Sequence, residues 1–214
     1  MPNVSASPLS RLLALLACAV MLAACTDMWK IGASPELRDL FKVEWLTKTW
    51  QEEVQLSDGR VIEITQQWRY ERAYTGGGGQ RGTIPRETWL RFRLAETNFQ
   101  EVEWHEKLAP MRFDVFEGKP FIVAYPWTEK EFELYGKPHP AYFGFIYENG
   151  QWRRLPYAEI PESQYDANLL IGGVKLNDLP RVSLEEKNSK RFNGRWTLSK
   201  GHKRIDPSRG KGWQ

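Results

Sequence analysis

Cysteine is scarce in this chain: two of the 214 residues are cysteines, and both, Cys18 and Cys25, lie near the N-terminus. No disulfide can therefore form within the part that follows Cys25, so the stability of that part must come from a hydrophobic core. Histidine is also rare, and His105, His139 and His202 stand far apart. None of the three has the spacing of a helical zinc pair, and no Gly-x-Ser-x-Gly nucleophile elbow is present. The sequence predicts no cofactor and favours a function other than catalysis.

Long apolar runs are absent except for one, which extends from Leu12 to Leu22. It is too short to span a bilayer, because a transmembrane helix needs about 20 apolar residues. One positive side chain, Arg11, precedes the run, and the small residues Ala23 and Ala24 follow it. This layout is typical of a signal peptide. An ordinary secretory signal, cleaved after small residues, is one interpretation.

The stretch Leu22-Ala23-Ala24-Cys25 resembles the lipobox of bacterial lipoproteins. The resemblance implies that residues 1–24 are a cleaved lipoprotein signal peptide, that Cys25 is the lipidation site, and that residues 25–33 are a tether to the bilayer. Three acyl chains, the number that such lipoproteins carry, hold a protein far more firmly than one chain does. Because Thr26 rather than Asp follows the cysteine, the resemblance also implies the outer membrane, facing the periplasm. The inner membrane is the alternative, since Asp27 lies one place further on.

Charge is distributed unevenly along the chain. Residues 187–214 form a basic C-terminal tail with nine lysines and arginines against one acidic side chain, Asp206. The formal net charge is +3, and loss of Arg11 leaves +2, so the body between Cys25 and the tail has a net charge of −6. A basic end predicts attraction to an anionic lipid or an acidic protein. The alternative is that the tail pairs with the chain's own acidic body. Nucleic acid is not an expected partner in the periplasm.

The apolar residues change to a period of two from Thr49 onward, and turn signals recur at short intervals. Residues 34–186 are therefore predicted to form a single β-rich domain, which begins with a short helix starting at Ser34-Pro35. The expected fold is mainly β, with antiparallel hairpins forming a sandwich, an open barrel or a curled meander, and with a few short helices. No period of 40–50 residues supports a propeller.

The first hairpin turns at Asp58-Gly59, and its register can be predicted from the apolar pattern. A two-residue loop would mix the two faces, because a slip of one residue moves every side chain to the other face. A loop with one extra residue, or a bulge, keeps the faces separate. We therefore expect Leu56 opposite Ile62, Val54 opposite Ile64, and Trp50 opposite Trp68.

The remaining turns and helices follow from similar local signals. Asn149-Gly150 predicts a two-residue turn that places Tyr147 opposite Trp152. The four glycines 76–79 predict a mobile hairpin loop rather than a phosphate site, since the P-loop Lys-Ser/Thr is absent. The other predictions are a turn at Glu117–Pro120, a loop containing the charged stretch Thr128–Glu133, short helices at Glu162–Leu170 and Val182–Lys190, and little structure beyond Lys200.

One strand face is the best candidate for ligand binding. Leu90, Phe92 and Leu94 alternate with Trp89, Arg91 and Arg93, so the last three share the face away from the core. Of the eight tryptophans that lie in or near predicted elements, Trp89 is expected to be the most exposed, and guanidinium groups beside an indole can form a cation–π surface. Glu101, Glu103 and His105 share the face of another strand. They are more often a solvated face than a zinc site.

The turns at Leu56–Val61 and Asn149–Arg153 resemble those of β-rich lipoproteins of Gram-negative bacteria for which no activity is known, so this resemblance carries no site residues. The function that we expect is a membrane-anchored, non-enzymatic envelope binding or assembly module. The alternatives are a periplasmic glycan hydrolase, which would need two carboxylates in a cleft, and a carrier of small ligands or lipids.

Overall fold

The computed structural model describes residues 44–75, 80–171, 180–189, 204–208 and 211–212. These residues contain nine strands: β1 (Trp45–Gln55), β2 (Val61–Thr75), β3 (Gln80–Arg93), β4 (Glu101–Glu106), β5 (Ala109–Phe116), β6 (Lys119–Tyr125), β7 (Phe143–Glu148), β8 (Gln151–Pro156) and β9 (Arg181–Val182). Two short α-helices are α1 (Glu129–Leu134) and α2 (Leu184–Asn188). Single 3-10 turns occupy Ala95–Thr97, Tyr157–Glu159 and Glu162–Gln164.

The strands form two sheets that pack together and do not close into a barrel. The first sheet has five strands in the order β4-β3-β2-β1-β9, and the second has four in the order β5-β6-β7-β8. Every pairing is antiparallel except that of β9, which lies parallel to β1 over two residues. The prediction of a mainly β fold built from antiparallel hairpins is confirmed, and the architecture is the sandwich.

The first hairpin confirms the predicted separation of faces but not the predicted partners. Val54 lies opposite Ile62 and Trp50 lies opposite Gln66, so the register is shifted by two residues from the expected one. The N–H of Leu56 donates to the carbonyl of Arg60 at 2.8 Å, which leaves an odd loop of Ser57, Asp58 and Gly59. Gly59 has a φ of +88°, a conformation that suits glycine at the end of such a loop. The loop is therefore two residues shorter than expected, because Leu56 pairs with Arg60 instead of Ile62.

The two later hairpins follow their turn signals closely. Glu117 and Gly118 both have positive φ angles, 51° and 74°, between β5 and β6. Asn149 and Gly150 do the same between β7 and β8, with φ angles of 52° and 80°. Two successive residues in this conformation make the turn whose twist matches that of the flanking strands. Tyr147 lies opposite Trp152, as predicted.

The predictions for the irregular segments were only partly right. The charged stretch 128–133 forms most of helix α1 rather than a loop. Residues 162–170 contain a single 3-10 turn at Glu162–Gln164 instead of a helix. Helix α2 lies within the predicted range 182–190 and begins with a capping box between Ser183 and Glu186.

The core consists of two neighbouring clusters of buried side chains. One lies between the sheets and includes Ile64, Leu90, Trp104 and Phe113. The other includes Trp50, Trp68 and Tyr70 together with residues from the segments after β8. Alternate residues of β6 belong to different clusters, so this strand is buried on both faces and its sequence is a continuous apolar run.

Buried polar groups of β1 and β5 bind residues that follow β8. Glu52 is fully buried in β1 and pairs with the ammonium group of Lys187 at 2.6 Å. Glu52 also accepts from the N–H of Leu170 at 3.0 Å. On β5, the guanidinium of Arg112 donates to Asp114 and to the carbonyl of Asp166. These contacts hold the coil after β8 against both sheets and satisfy the charges that it covers.

Residues of the predicted basic tail pack on the domain. Lys187 forms the ion pair with Glu52, and Ile205 is 5% exposed within the core. Arg204 reaches the carboxylate of Asp166 at 2.9 Å. Beyond Lys200 the chain therefore has ordered contacts that the sequence did not predict, because composition alone carries no information about which apolar residue fills a gap.

Several predictions fall on residues outside the described part of the chain. These are the signal peptide 1–24, Cys25, the tether 25–33, the helix expected at Ser34, the glycine loop 76–79 and most of the segment 190–214. The strands on either side of the glycine loop do pair, with Thr75 opposite Gln80. None of the described helices is long and apolar enough to cross a membrane.

Candidate functional site

The sandwich has two ends with different chemistry. We call one the turn end, since it carries the turns Ser57–Gly59, Glu117–Gly118 and Asn149–Gly150. We call the other the helix end, since it carries α1 together with the start of β1 at Trp45 and the residue after β4, Lys107. The predicted ligand face lies on the outside of the first sheet, between these ends.

On the predicted ligand face, both arginines are occupied by carboxylates. Arg91 and Arg93 lie opposite Glu103 and Glu101 in the register of β3 and β4. The Arg91 Nε donates to Glu103 at 2.6 Å and the Arg93 Nη2 donates to Glu101 at 3.0 Å. The arginines of β3 and the glutamates of β4, which the sequence pattern placed on two separate strand faces, therefore form one neutral ladder across two strands. This pairing leaves the face little net attraction for an anion.

Trp89 is half-buried rather than the most exposed tryptophan. Its indole stacks on the imidazole of His105, with ring centroids 4.3 Å apart and planes at 10°. One face of the indole is therefore covered by a neighbour on the next strand. Among the tryptophans that the structure describes, Trp45 is the exposed one, at 46% of its surface, and the guanidinium of Arg69 lies 4.1 Å from the centroid of its ring.

The larger cleft of the helix end has a volume of about 490 Å³. It is lined by Trp45 and Leu134 and by the charged residues Arg86, Glu87, Lys107, Lys130, Glu131 and Glu133. Leu134, the last residue of α1, is 60% exposed, whereas Phe132 in the same helix is fully buried. Two large apolar side chains thus face solvent beside several cationic ones, a combination common at binding surfaces.

A bulge in β3 positions one wall of this cleft. Tyr70 lies opposite Pro85 while Arg69 lies opposite Glu87, so Arg86 is the extra residue. A bulge lets proline sit inside a central strand and re-aims the side chain beside it. The guanidinium of Arg86 donates to Glu71 and to Glu131, each at 2.7 Å, which fixes helix α1 to the first sheet.

A second cleft of about 340 Å³ adjoins the first and shares Lys107 and Leu134 with it. Its wall contains Tyr135, whose hydroxyl donates to Glu106 at 2.5 Å and accepts from the backbone N–H of Lys107 at 3.1 Å. Burial and the hydrogen bond to Glu106 raise the pKa of Tyr135 well above its usual value. Tyr135 is therefore a neutral donor that holds Glu106 rather than a base.

Three cations of the helix end have no carboxylate partner among the described residues. Lys107 and Lys130 are exposed and form no ion pair there. The guanidinium of Arg154 instead lies over the rings of Tyr135 and Phe143, at 5.4 and 5.3 Å from their centroids. These side chains can bind an anionic group without first breaking an internal ion pair.

The turn end carries a polar cleft of about 430 Å³. For the alternative function, a glycan hydrolase, such a cleft would have to contain a carboxylic acid that donates a proton. Three carboxylates line it: Glu96, Glu101 and Glu148. Hydrogen bonds from Lys119 and Arg153 lower the pKa of Glu148 to about 2. A hydrogen bond from Arg60 lowers the pKa of Glu96. A general acid needs a raised pKa, so these two groups are arranged for ion pairing and not for proton donation.

Metal binding and similarity to known proteins give no further indication. No group of three histidine, cysteine or acidic side chains in the described ranges is placed to hold a metal ion. No protein-family model, curated protein or solved structure matches the chain. The site must therefore be interpreted from its own geometry.

The residues that distinguish the helix end were missed in the sequence. Trp45 precedes the clear alternation of β1, and Leu134 and Lys130 lie in the stretch expected to be a loop. The only available signal was that Phe132 and Leu134 are the two apolar residues of a charged segment. Two positions apart on a helix, they could not both face the core. No sequence pattern singled out Lys107, because whether a lysine has a carboxylate partner depends on the folded structure.

Proposed function

We propose that this chain is a membrane-anchored bacterial lipoprotein whose β-sandwich acts as a non-enzymatic binding module of the cell envelope. The lipobox stretch ending at Cys25 supports the anchor. Acylation of Cys25 would place the domain at the periplasmic side of a membrane, and the residue Thr26 favours the outer membrane. The short tether would keep the domain close to that surface.

The single observation that carries binding over catalysis is the contrast in charge pairing. Carboxylates of the polar cleft are held by cations, whereas Lys107, Lys130 and Arg154 of the helix end have no carboxylate partner in the described chain and lie beside exposed apolar groups. Cationic groups without an internal carboxylate partner favour association with an anionic ligand or surface.

The anchor is tested by comparing Cys25→Ser with Cys18→Ser. We expect Cys25→Ser to abolish incorporation of a labelled fatty acid and to change precursor processing. The matched Cys18→Ser variant should be processed and labelled normally, because Cys18 lies in the segment to be removed. A Cys25→Ser protein that is processed normally and stays in the membrane fraction at high salt would refute the anchor.

The binding role is tested by crosslinking in intact cells followed by mass spectrometry. We expect the lipidated chain to crosslink to envelope components, and the Cys25→Ser form to lose those crosslinks. An identical pattern from both forms would mean that the membrane location is unnecessary for binding, and the proposal of an anchored module would fail.

A further inference from the structure

We infer that the helix end is a docking surface for the phosphate headgroups of the bilayer to which the chain is anchored. This inference rests on the proposed lipid anchor, and the residues that support it lie on the surface of the domain. It assigns Trp45, Leu134, Lys107, Lys130 and Arg154 to a membrane-contacting site.

The apolar part of this surface suits the boundary between headgroups and acyl chains. Trp45 is 46% exposed and Leu134 is 60% exposed, and both line the same cleft. Tryptophan is enriched at this depth of a bilayer because its ring is apolar and its N–H is polar. A leucine beside it adds apolar area that would otherwise remain in water.

The cationic part suits the phosphates above that boundary. Lys107 and Lys130 are exposed, and long lysine stems can cover apolar surface while their ammonium groups reach phosphate oxygens. The carboxylates nearby are occupied. Arg86 pairs with Glu71 and Glu131, Arg69 with Glu87, Lys137 with Glu133, and Tyr135 donates to Glu106. Three cations without a carboxylate partner in the described chain thus stand beside two acids without a cationic partner there, Glu106 and Glu129.

The chain enters the described domain at this end. Trp45 is the first residue of β1 and lies 20 residues after Cys25. A segment of that length spans at most about 70 Å when fully extended. A tethered domain experiences an effective concentration of the order of millimolar at its anchoring surface, so a weak docking site is sufficient.

Lysine footprinting on the attached full chain tests the inference. The protein is placed on vesicles of phosphatidylcholine and phosphatidylglycerol, by its own acyl chains or, if Cys25 carries a free thiol, by coupling that thiol to a maleimide lipid. Acetylation rates are measured by mass spectrometry and compared with those of the unattached Cys25→Ser chain. We expect acetylation of Lys107 and Lys130 to slow by about fivefold on the vesicles. Lys119, an exposed lysine of the turn end, is the internal control and should not change.

Variants separate docking from mere crowding at the vesicle. Leu134→Ser should remove most of the protection of Lys107 and Lys130, whereas Phe99→Ser should leave it intact. Phe99 is 70% exposed and precedes β4 at the turn end, so it is a matched apolar control. Equal protection of all three lysines, no protection at any of them, or equal effects of the two variants would overturn the inference.

The two proposals fail in different ways. A free thiol at Cys25 in the protein isolated from cells would refute the lipid anchor, yet the footprint on coupled vesicles would still report on the surface. Acylated Cys25 with an unprotected helix end would leave the anchor in place and refute the docking surface.

Discussion

The two ends of the sandwich contain similar residue types but use them differently. At the turn end, Glu148 lies between Lys119 and Arg153, and Glu96 pairs with Arg60. At the helix end, Lys107 and Lys130 form no ion pair with a described carboxylate and lie beside Trp45 and Leu134. Composition therefore does not distinguish the two ends. The difference lies in which charges the fold leaves without a partner of opposite sign.

The largest expected effect concerns the buried ion pair near the turn end. Asp114→Ala should lower the free energy of unfolding by about 3–5 kcal/mol, because it leaves the Arg112 guanidinium buried without its partner. Arg112 is 7% exposed and Asp114 is fully buried, and Asp114 also accepts from the N–H and hydroxyl of Ser57. Denaturant unfolding measures the change. Glu148→Ala at the same end is the exposed control, and a loss no larger than its loss would contradict the prediction.

The equivalent change at the helix end should cost less. Glu131→Ala removes one partner of Arg86, but Arg86 keeps Glu71 at 2.7 Å. We therefore expect a loss of about 2 kcal/mol, the cost of an unsatisfied buried charge that retains one hydrogen-bonded partner. The same denaturant experiment compares the two ends directly. A larger loss of unfolding free energy for Glu131→Ala than for Asp114→Ala would contradict this order.

Acid should weaken the domain through Asp114. Burial raises the pKa of this carboxyl, but hydrogen bonds from Ser57 and the nearby Arg112 guanidinium outweigh burial and hold the pKa below its ordinary value. A group with a lowered folded-state pKa stabilises fully above its ordinary pKa of about 4, and this contribution is lost as pH falls through the folded-state pKa.

Unfolding measured from pH 6 to pH 2 tests this prediction. The free energy of unfolding of the wild type should decrease below about pH 4 more steeply than that of Asp114→Asn. The asparagine variant keeps the shape of the side chain and cannot titrate. Parallel curves for the two proteins would show that Asp114 makes no such contribution.

The exposed apolar residues at the two ends should contribute little to stability. Leu134→Ser and Phe99→Ser are each expected to change the free energy of unfolding by about 0.5 kcal/mol or less, since both side chains already face solvent. Thermal unfolding provides the measurement. A large loss in either variant would mean that its side chain packs in solution and would remove the pair as matched controls for docking.

A similarly small effect is expected on the neutral ladder between the ends. Arg91→Ala and Arg93→Ala each break an exposed ion pair, which typically contributes about 0–1 kcal/mol. Neither variant should reduce the protection of Lys107 and Lys130 when the attached chain is footprinted on vesicles. A clear loss of that protection in either one would restore the face of Trp89, Arg91 and Arg93 as an anion site.

Much of the fold could be predicted from the sequence because turns and strand faces depend on local chemistry. Asn149-Gly150 supplied the turn residues, so the pairing of Tyr147 with Trp152 followed from the spacing alone. The first hairpin shows the limit of such reasoning. The alternation of apolar residues determined that the loop is odd, but several odd loops satisfy it, and hydrogen bonding within Leu56–Arg60 selected the shortest.

The candidate site was less predictable for a physical reason. Whether Arg91 is a free cation or half of an ion pair depends on Glu103, 12 residues away and on another strand. Likewise, Lys187 looks like the start of a solvated tail until Glu52, 135 residues away, is placed beside it. Charge pairing of this kind joins distant parts of the chain, and composition does not report it.

By itself, the sequence determined the stretch Leu22-Ala23-Ala24-Cys25, which resembles a lipobox, the single short apolar run before it, and the alternating faces of most strands. These depend on residues that are neighbours along the chain. Only the tertiary structure decided that two sheets form an open sandwich, that the arginines of the predicted face are neutralised, and that Trp45, Leu134 and three cations gather at one end. The reason is that burial and electrostatic pairing are set by contacts between residues far apart in sequence, and those contacts exist only once the chain has folded.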